Sequence, residues 1–432
     1  MKQKQVFSDR RRSVVKGIGV ASAMSIAGGW GFPAIAQNRP LKVGILAPRA
    51  GIAATIGECG LRGVLFAVDK INKSGGIAGR KVELVVEEET NAKDTTERFR
   101  KLVLQDKVDC VQGLVSSGVS LAMSPTVEEM KALTIYWDGT SQDGVKETIP
   151  NPKYLFRSTD NECEAVMSSL LAIKYFKGQF ATIAGINPDY SYGRNNWAAF
   201  QALLKRFGIQ YKVVAEQWPK VGTMDLSSHI ASLKAAKPDL IFSSLLFADL
   251  PVFMQNAHAA GLTKGTKFVM PAAGFQQTLM KKEFTPEGMV FGLNTLDFNY
   301  PNATPLQKEF VQHYFDKYKD YPNWEADRAY FAMQVFKAGT EKAVKTKGGG
   351  AWPKTEEIAS AIEGIQVESL GGPGMMRTDH VAEQTFYQGL TTHKNKFDFV
   401  TTSPTDKKFS NELQKPPGVD FWQWLETAKI SL

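Results

Sequence analysis

Residues 41–113 read LKVGILAPRAGIAATIGECGLRGVLFAVDKINKSGGIAGRKVELVVEEETNAKDTTERFRKLVLQDKVDCVQG. Three short apolar runs, residues 41–47, 81–87 and 108–113, are separated by segments whose apolar residues recur at helical spacing, residues 60–72 and 92–105. Strands of this length alternating with helices of 10 to 15 residues predict parallel pairing through right-handed crossovers. The alternation continues with a helix over 121–131 and a strand over 133–137, and it starts afresh near Tyr154. There, strands at 180–186, 211–216, 240–244 and 268–271 alternate with helices at 193–207, 224–236 and 250–261. Two successive units of this kind predict two doubly wound α/β lobes. Ligands of such sheets bind beyond the C-terminal ends of the strands, so a site is expected there in both lobes at once.

The front of the chain has a different character. Lys2 and Lys4 lead into Arg10-Arg11-Arg12-Ser13-Val14-Val15-Lys16, followed by an uncharged small and apolar stretch, residues 17–36. It closes on Ala34-Ile35-Ala36, the small-x-small pattern of a signal peptidase site, so residues 1–36 read as an export signal cleaved before Gln37. The paired arginines point to the twin-arginine type, with an ordinary Sec signal as the alternative. Five glycines, a proline and two serines make an uncleaved membrane anchor the weaker reading. The expected location is the periplasm. The signal carries six basic residues against Asp9, so the chain without it keeps only +3 of the formal +8. No basic stripe survives for nucleic acid.

The remaining 396 or so residues suit two domains. With 43 % apolar and 22 % charged residues, the composition is that of a globular protein. Three cysteines, Cys59, Cys110 and Cys163, form no disulfide framework and no metal motif. The five histidines, His229, His258, His313, His380 and His393, are scattered. No cofactor and no metal is expected. The chain has no Gly-x-Ser-x-Gly elbow, His-Glu-x-x-His helix or P-loop, and Ala50-Gly51-Ile52-Ala53 stands where a dinucleotide fingerprint would be, so no enzyme is read here.

Several segments together resemble a known family. Residues 41–46, then Asp69-Lys70-Ile71-Asn72-Lys73-Ser74-Gly75-Gly76-Ile77-Ala78-Gly79-Arg80, are similar to the opening of the leucine/isoleucine/valine-binding periplasmic proteins of ABC transporters. Gly113-Leu114-Val115-Ser116-Ser117-Gly118 resembles that family's ligand loop, and Asp189-Tyr190-Ser191-Tyr192-Gly193-Arg194 the loop opening the second lobe's site. Residues 288–292 and 330–338 resemble its return segments. The resemblance, over nearly all of residues 41–400, implies a type I periplasmic binding fold: two doubly wound α/β lobes, a three-strand hinge, and closure on ligand. Lobe I is expected over residues 37–156 and about 295–370, lobe II over 157–294 and about 371–432.

Ser116, Ser117 and Gly118 follow a strand and precede a helix, where hydroxyls and free backbone N–H groups at a positive helix end suit a carboxylate. Simple capping of the helix is the alternative reading of the two serines. By the resemblance, Ser117 contacts the ligand carboxylate, Thr140 adds a second hydroxyl, and Asp138 contributes through its backbone if at all. Tyr192 reaches the ligand from lobe II, with Tyr190 in the same loop. Ile56, Leu246 and Phe247 form pocket walls. Amino-acid-binding relatives carry a glutamate after the last lobe II strand to hold the ligand ammonium; here that position is Ala272. A buried ammonium without an anionic partner costs several kcal/mol. Either Asp189, Glu325 or Asp327 supplies the charge, or the cargo lacks an ammonium, the reading preferred here with aromatic acids in view. Some relatives also bridge the ligand loop to the loop after the second strand by a disulfide. This chain has Ser116 and Thr90-Asn91 there, so hydrogen bonds and packing must do that work. The resemblance implies a monomeric shuttle to a permease and ATPase on other chains; a ligand-sensing receptor is the alternative role.

Overall fold

Strand β1 (Leu41–Ala47) is buried along its length except at Lys42, which is why its sequence is apolar apart from that residue. The structure, a computed structural model, describes residues 39–432 apart from Gly139, residues 159–161 and residues 349–350. The export segment read at residues 1–36 lies outside them.

From β1 the chain runs through α1 (Ala54–Lys73), β2 (Val82–Glu88), α2 (Ala92–Leu104), β3 (Cys110–Gly113), α3 (Ser117–Glu129), β4 (Thr134–Tyr136), α4 (Gln142–Thr148) and β5 (Leu155–Arg157). The sheet is parallel throughout, in the order β2-β1-β3-β4-β5. Strand order reverses between β1 and β3, and there Gly113, at φ 128°, lies against Leu46 so closely that a Cβ would stand 1.9 Å from its carbonyl oxygen. Two helices start earlier than their periodicity suggests. The expectation for α1 was residue 60, and for α3 residue 121; they begin at Ala54 and Ser117 because small and polar first turns carry no apolar period to read.

A second unit follows: α5 (Glu162–Phe176), β6 (Thr182–Ile186), α6 (Ser191–Arg206), β7 (Lys212–Gln217), α7 (Ser227–Ala236), β8 (Leu240–Ser243), α8 (Asp249–Ala259), β9 (Lys267–Met270) and β10 (Val290–Asn294). The chain then returns to the first sheet through α9 (Pro305–Tyr318) and α10 (Trp324–Lys347). The side chain of Gln112 in β3 donates to the carbonyl of Ala332 in α10, and Gly63 lets α1 lie against α10, since a Cβ there would be 2.3 Å from the Ala326 carbonyl oxygen. After α11 (Thr355–Ile362), strands β11 (Gln366–Ser369), β12 (Gly372–Met376) and β13 (Ala382–Glu383) make a small antiparallel sheet. Strands β14 (Thr385–Thr392) and β15 (Thr401–Phe409) add antiparallel edges to the second sheet, ordered β15-β14-β10-β9-β8-β6-β7, before α12 (Phe421–Thr427). That sheet reverses between β6 and β8.

The chain thus passes between the two sheets three times, after β5, after β10 and between β13 and β14. Each sheet has its own apolar layers. One cluster spans both, collecting Ile56, Val115, Trp137 and Trp324 from the first side and Tyr192, Leu246, Phe247, Ala272 and Phe275 from the second.

Candidate functional site

That shared cluster lies where both strand orders reverse, beyond the C-terminal ends of the strands, the expected place for a ligand in sheets of this kind. After β1 and α1's first turn comes Ile56; after β3, residues 114–117; after β4, Trp137 and Asp138. From the second sheet, the loop after β6 carries Tyr190, the loop after β8 carries Leu246 and Phe247, and the turn after β9 begins at Ala272. Leu114 and Phe247 hold left-handed backbone, at φ 67° and 57°, a conformation that side-chain-bearing residues keep only where the surroundings enforce it.

The first-lobe loop is organised by a residue that the sequence reading left out. Glu89, immediately after β2 and buried, accepts the backbone N–H of Val115 at 2.8 Å and of Ser116 at 3.0 Å. The expectation that the N–H groups of this loop face a ligand is therefore corrected for Ser116: its amide is spent on Glu89. The same two bonds link the loops after β2 and β3. Ser116 sits at the N-cap of α3 without a side-chain capping bond, and Ser117 begins the helix, buried. The pure capping reading of Ser116 does not hold.

Asp138 also departs from expectation. Its backbone N–H donates to the Leu114 carbonyl at 3.3 Å, so the amide is not offered to a ligand. Its carboxylate instead forms a buried ion pair with Nη1 of Arg328, from α10. Thr140 is buried, and Nη1 of Arg157 donates to its carbonyl oxygen at 3.2 Å and to its hydroxyl oxygen at 3.3 Å. The Thr140 hydroxyl accepts in that contact, which leaves its own proton to be donated elsewhere. From the second lobe, the buried Tyr192 faces the Glu164 carboxyl, which adds to burial in raising the tyrosine's pKa, and Tyr190 packs its ring 5.9 Å from that of Tyr192. Asn294 donates to the same Glu164.

Of the three acids considered as replacements at Ala272, the structure treats each differently. Asp189 is exposed and paired with Arg194 at 2.5 Å. Asp327 is tied into the fold by Ser369, by the Gly371 N–H at 2.8 Å and by Gln384 at 3.1 Å. Glu325 is fully buried in the first turn of α10, and neither carboxylate oxygen has a hydrogen-bond partner among the described residues. Gly60 in α1 makes room for it: a Cβ there would lie 2.7 Å from the Trp137 ring and 3.1 Å from Cγ of Glu325. Across the cleft, the Trp324 and Phe275 rings pack at 3.7 Å, and the Asn323 side chain donates to the Phe275 carbonyl.

Arg328 was not singled out from the sequence. It is 1 % exposed, and its Nε and Nη2 have no hydrogen-bond partner among the described residues; the same holds for the indole N–H groups of Trp137 and Trp324. Glu89, Asp138, Glu164 and Glu325 thus gather around one arginine. Burial pushes the Glu89 carboxyl up to about 7 and the Glu164 carboxyl up to about 8, and it raises Glu325 well above the usual carboxylate range. Burial therefore disfavours the charged form of all three acids, while the Asp138 carboxylate is held by Arg328. The arrangement offers several N–H and O–H donors, one uncommitted carboxyl and apolar walls from both lobes: a binding cleft.

The chain resembles proteins of known kind over most of its length. A family model described as periplasmic binding protein matches residues 40–392. The Leu/Ile/Val-binding protein homolog 3 of Brucella melitensis biotype 1 is 27 % identical, the match covering 79 % of this chain and 89 % of that protein. A solute binding protein of an ABC transporter from Rhodopseudomonas palustris BisB5, solved in complex with 3,4-dihydroxy benzoic acid, superposes with a TM-score of 0.73 at 22 % identity, covering 88 % of this chain and 99 % of that one. The branched-chain amino acid transporter substrate binding protein LivJ of Streptococcus pneumoniae, in complex with isoleucine, gives 0.69 at 19 % identity, covering 86 % and 100 %. Both are two-lobed type I binding folds, the architecture described above.

Proposed function

We propose, because this chain belongs to the periplasmic binding protein family, that it is the extracytoplasmic solute-binding component of an ABC importer and holds a small carboxylate-bearing molecule between its lobes. One observation carries the choice of a carboxylate: the fully buried Arg328 guanidinium, fixed by Asp138, keeps Nε and Nη2 uncommitted beside apolar walls. A planar fork of N–H donors in that setting matches a carboxylate in geometry and charge. Ser117 and Thr140 are the hydroxyls that join it, Tyr192 and Tyr190 approach from the second lobe, and Ile56, Leu246, Phe247 and Ala272 enclose the apolar body. Ligand bridges the two lobes and shifts the hinge towards its closed form, which docks on a permease whose ATPase subunits are separate chains. Residues 39–158 with α9, α10 and the small third sheet form the first lobe, and α5 to β10 with β14 and β15 the second. Residues 1–36 carry the chain out as a twin-arginine signal.

The test is a thermal-shift panel confirmed by calorimetry. Leucine, isoleucine, benzoate, 4-hydroxybenzoate, 3,4-dihydroxybenzoate and short aliphatic acids are compared with benzamide, a neutral relative of benzoate. A carboxylate is expected to raise the melting temperature while benzamide does not. Equal stabilisation by the amide and the acid would remove the carboxylate from the reading.

A further inference from the structure

Glu325 and Arg328 lie three residues apart in the first turns of α10. At that spacing the two Cβ atoms sit roughly 5–6 Å apart on one helix face, and opposite charges ordinarily pair. Here they do not. Arg328 directs Nη1 to Asp138 on the loop after β4, while its Nε and Nη2, and both carboxylate oxygens of Glu325, are without partners among the described residues. Both side chains are at most 1 % exposed, so water cannot stand in freely. A polar group buried without a hydrogen bond is costly, and a charged one more so. Two such groups of opposite kind, side by side under Trp137 and Trp324, describe a receptor for a molecule that is itself an acceptor at one end and a donor next to it.

We propose that Glu325 is a specificity-determining residue of this cleft: it selects, among small carboxylates, those that also carry a hydrogen-bond-donating group, with the carboxylate on Arg328 and the donor on Glu325. This rests on the carboxylate reading above and names its cargo more narrowly. The donor's chemistry is shared by an ammonium and a ring hydroxyl. Trp137 and the Trp324–Phe275 stack accept an apolar or planar body in either case.

The experiment compares matched ligands on the mature protein and on Glu325→Met. The pairs are phenylalanine against 3-phenylpropanoate, and 3,4-dihydroxybenzoate against benzoate. On the unaltered protein, the donor-bearing member of at least one pair is expected to bind at least about tenfold more tightly, the scale of one hydrogen bond to a charged group. In Glu325→Met, which has no oxygen to accept the donor, that advantage is lost while the donor-free acid keeps its affinity within about twofold. The pair that shows the effect identifies the donor as ammonium or hydroxyl. The idea is overturned if donor-bearing and donor-free acids bind alike to the unaltered protein, or if Glu325→Met weakens all acids equally. The comparison on the unaltered protein decides the matter even should the variant fold poorly. If no carboxylate binds at all, it is the carboxylate reading that fails; if carboxylates bind without regard to the donor, only the role of Glu325 fails.

Discussion

Replacing Glu89 by glutamine should remove a pH dependence from the stability of the ligand-free protein, so that the variant gains on the parent by about 3 kcal/mol between pH 4.5 and pH 8. Glu89 is buried, and its carboxyl holds two backbone N–H groups of the Ser116 loop. Burial lifts its pKa from 4.5 to about 7, outweighing those two bonds, which pull the other way. A carboxyl whose folded pKa is raised binds more protons folded than unfolded between the two values. Its stabilising contribution is complete below pH 4.5 and is lost as pH rises through 7. A lift of this size corresponds to ~3 kcal/mol of stability forfeited once the group is ionised, at 1.36 kcal/mol per pKa unit. Glutamine does not titrate, but it keeps one acceptor oxygen where the carboxyl offers two, so one of the two backbone N–H groups meets its amide –NH2 and a penalty of about 1–3 kcal/mol is added at every pH.

The assay is a set of melting curves of the mature protein and of Glu89→Gln from pH 5 to pH 8.5, without ligand. The variant should melt below the parent near pH 5, and this gap should narrow by several degrees towards pH 8, given a few degrees per kcal/mol for domains of this size. Other buried acids titrate in the same range, Glu164 up to about 8 and Asp297 up to about 7, and bend both curves alike. Only the difference between the curves belongs to Glu89. A gap that stays constant from pH 5 to pH 8 would refute the reasoning, because it would mean that Glu89 does not titrate across the range that its burial requires.

Two further outcomes follow from the same cleft. Ser117→Ala should weaken carboxylate binding by about 1–3 kcal/mol in calorimetry, the usual cost of taking a hydroxyl from a charged hydrogen-bonding partner, and unchanged affinity would take Ser117 out of the site. Arg328→Met should destabilise the ligand-free protein by about 3–5 kcal/mol in urea unfolding, because the buried Asp138 carboxylate loses the cation it pairs with, and Asp138→Asn added to it should restore a large part of that loss; additive losses would show that the two side chains do not act as a pair.

The alternation of apolar runs and helical segments was enough to read the two parallel sheets, because a buried parallel strand such as β1 has to be apolar along its whole length. The walls Ile56, Leu246, Phe247 and Ala272, and Tyr192, could be named only through the family resemblance, since nothing in their local sequence separates a cleft wall from ordinary core; the structure does gather them into one cluster. What escaped the sequence altogether is long-range pairing. Asp138 and Arg328 are 190 positions apart, and Glu89 lies 26 and 27 positions from the amides it holds. Charged residues at such distances look like solvated surface until the sheets bring them together. Glu89 in particular reads as one more acid in a run of them at the exposed end of β2, and only the reversal of strand order beside it turns that acid inward.

On the proposed reading, the division of labour between the lobes leaves no need for an acid at position 272. Arg328 and Glu325 on α10, Ser117 on α3 and Thr140 after β4 all belong to elements packed around the first sheet, whereas the second sheet offers Tyr192, Leu246, Phe247 and Ala272. On the proposed reading, then, charge and hydrogen bonds are read on one lobe, and the other closes an apolar wall and a hydroxyl over what is held. An acid at position 272 would have faced a cleft that already buries Glu89, Asp138, Glu164 and Glu325 with one arginine among them. Each further carboxylate there raises the cost of ionising the rest, since like charges at close range in a dry interior repel strongly. Moving the acceptor to Glu325 puts it on the same helix face as Arg328. A cargo can then satisfy both before the lobes close, and closure adds mainly apolar burial, at about 25 cal/mol per Å² of surface removed from water. In that arrangement the selectivity of the protein resides in the first turns of α10, and the second lobe governs how long the chosen molecule stays.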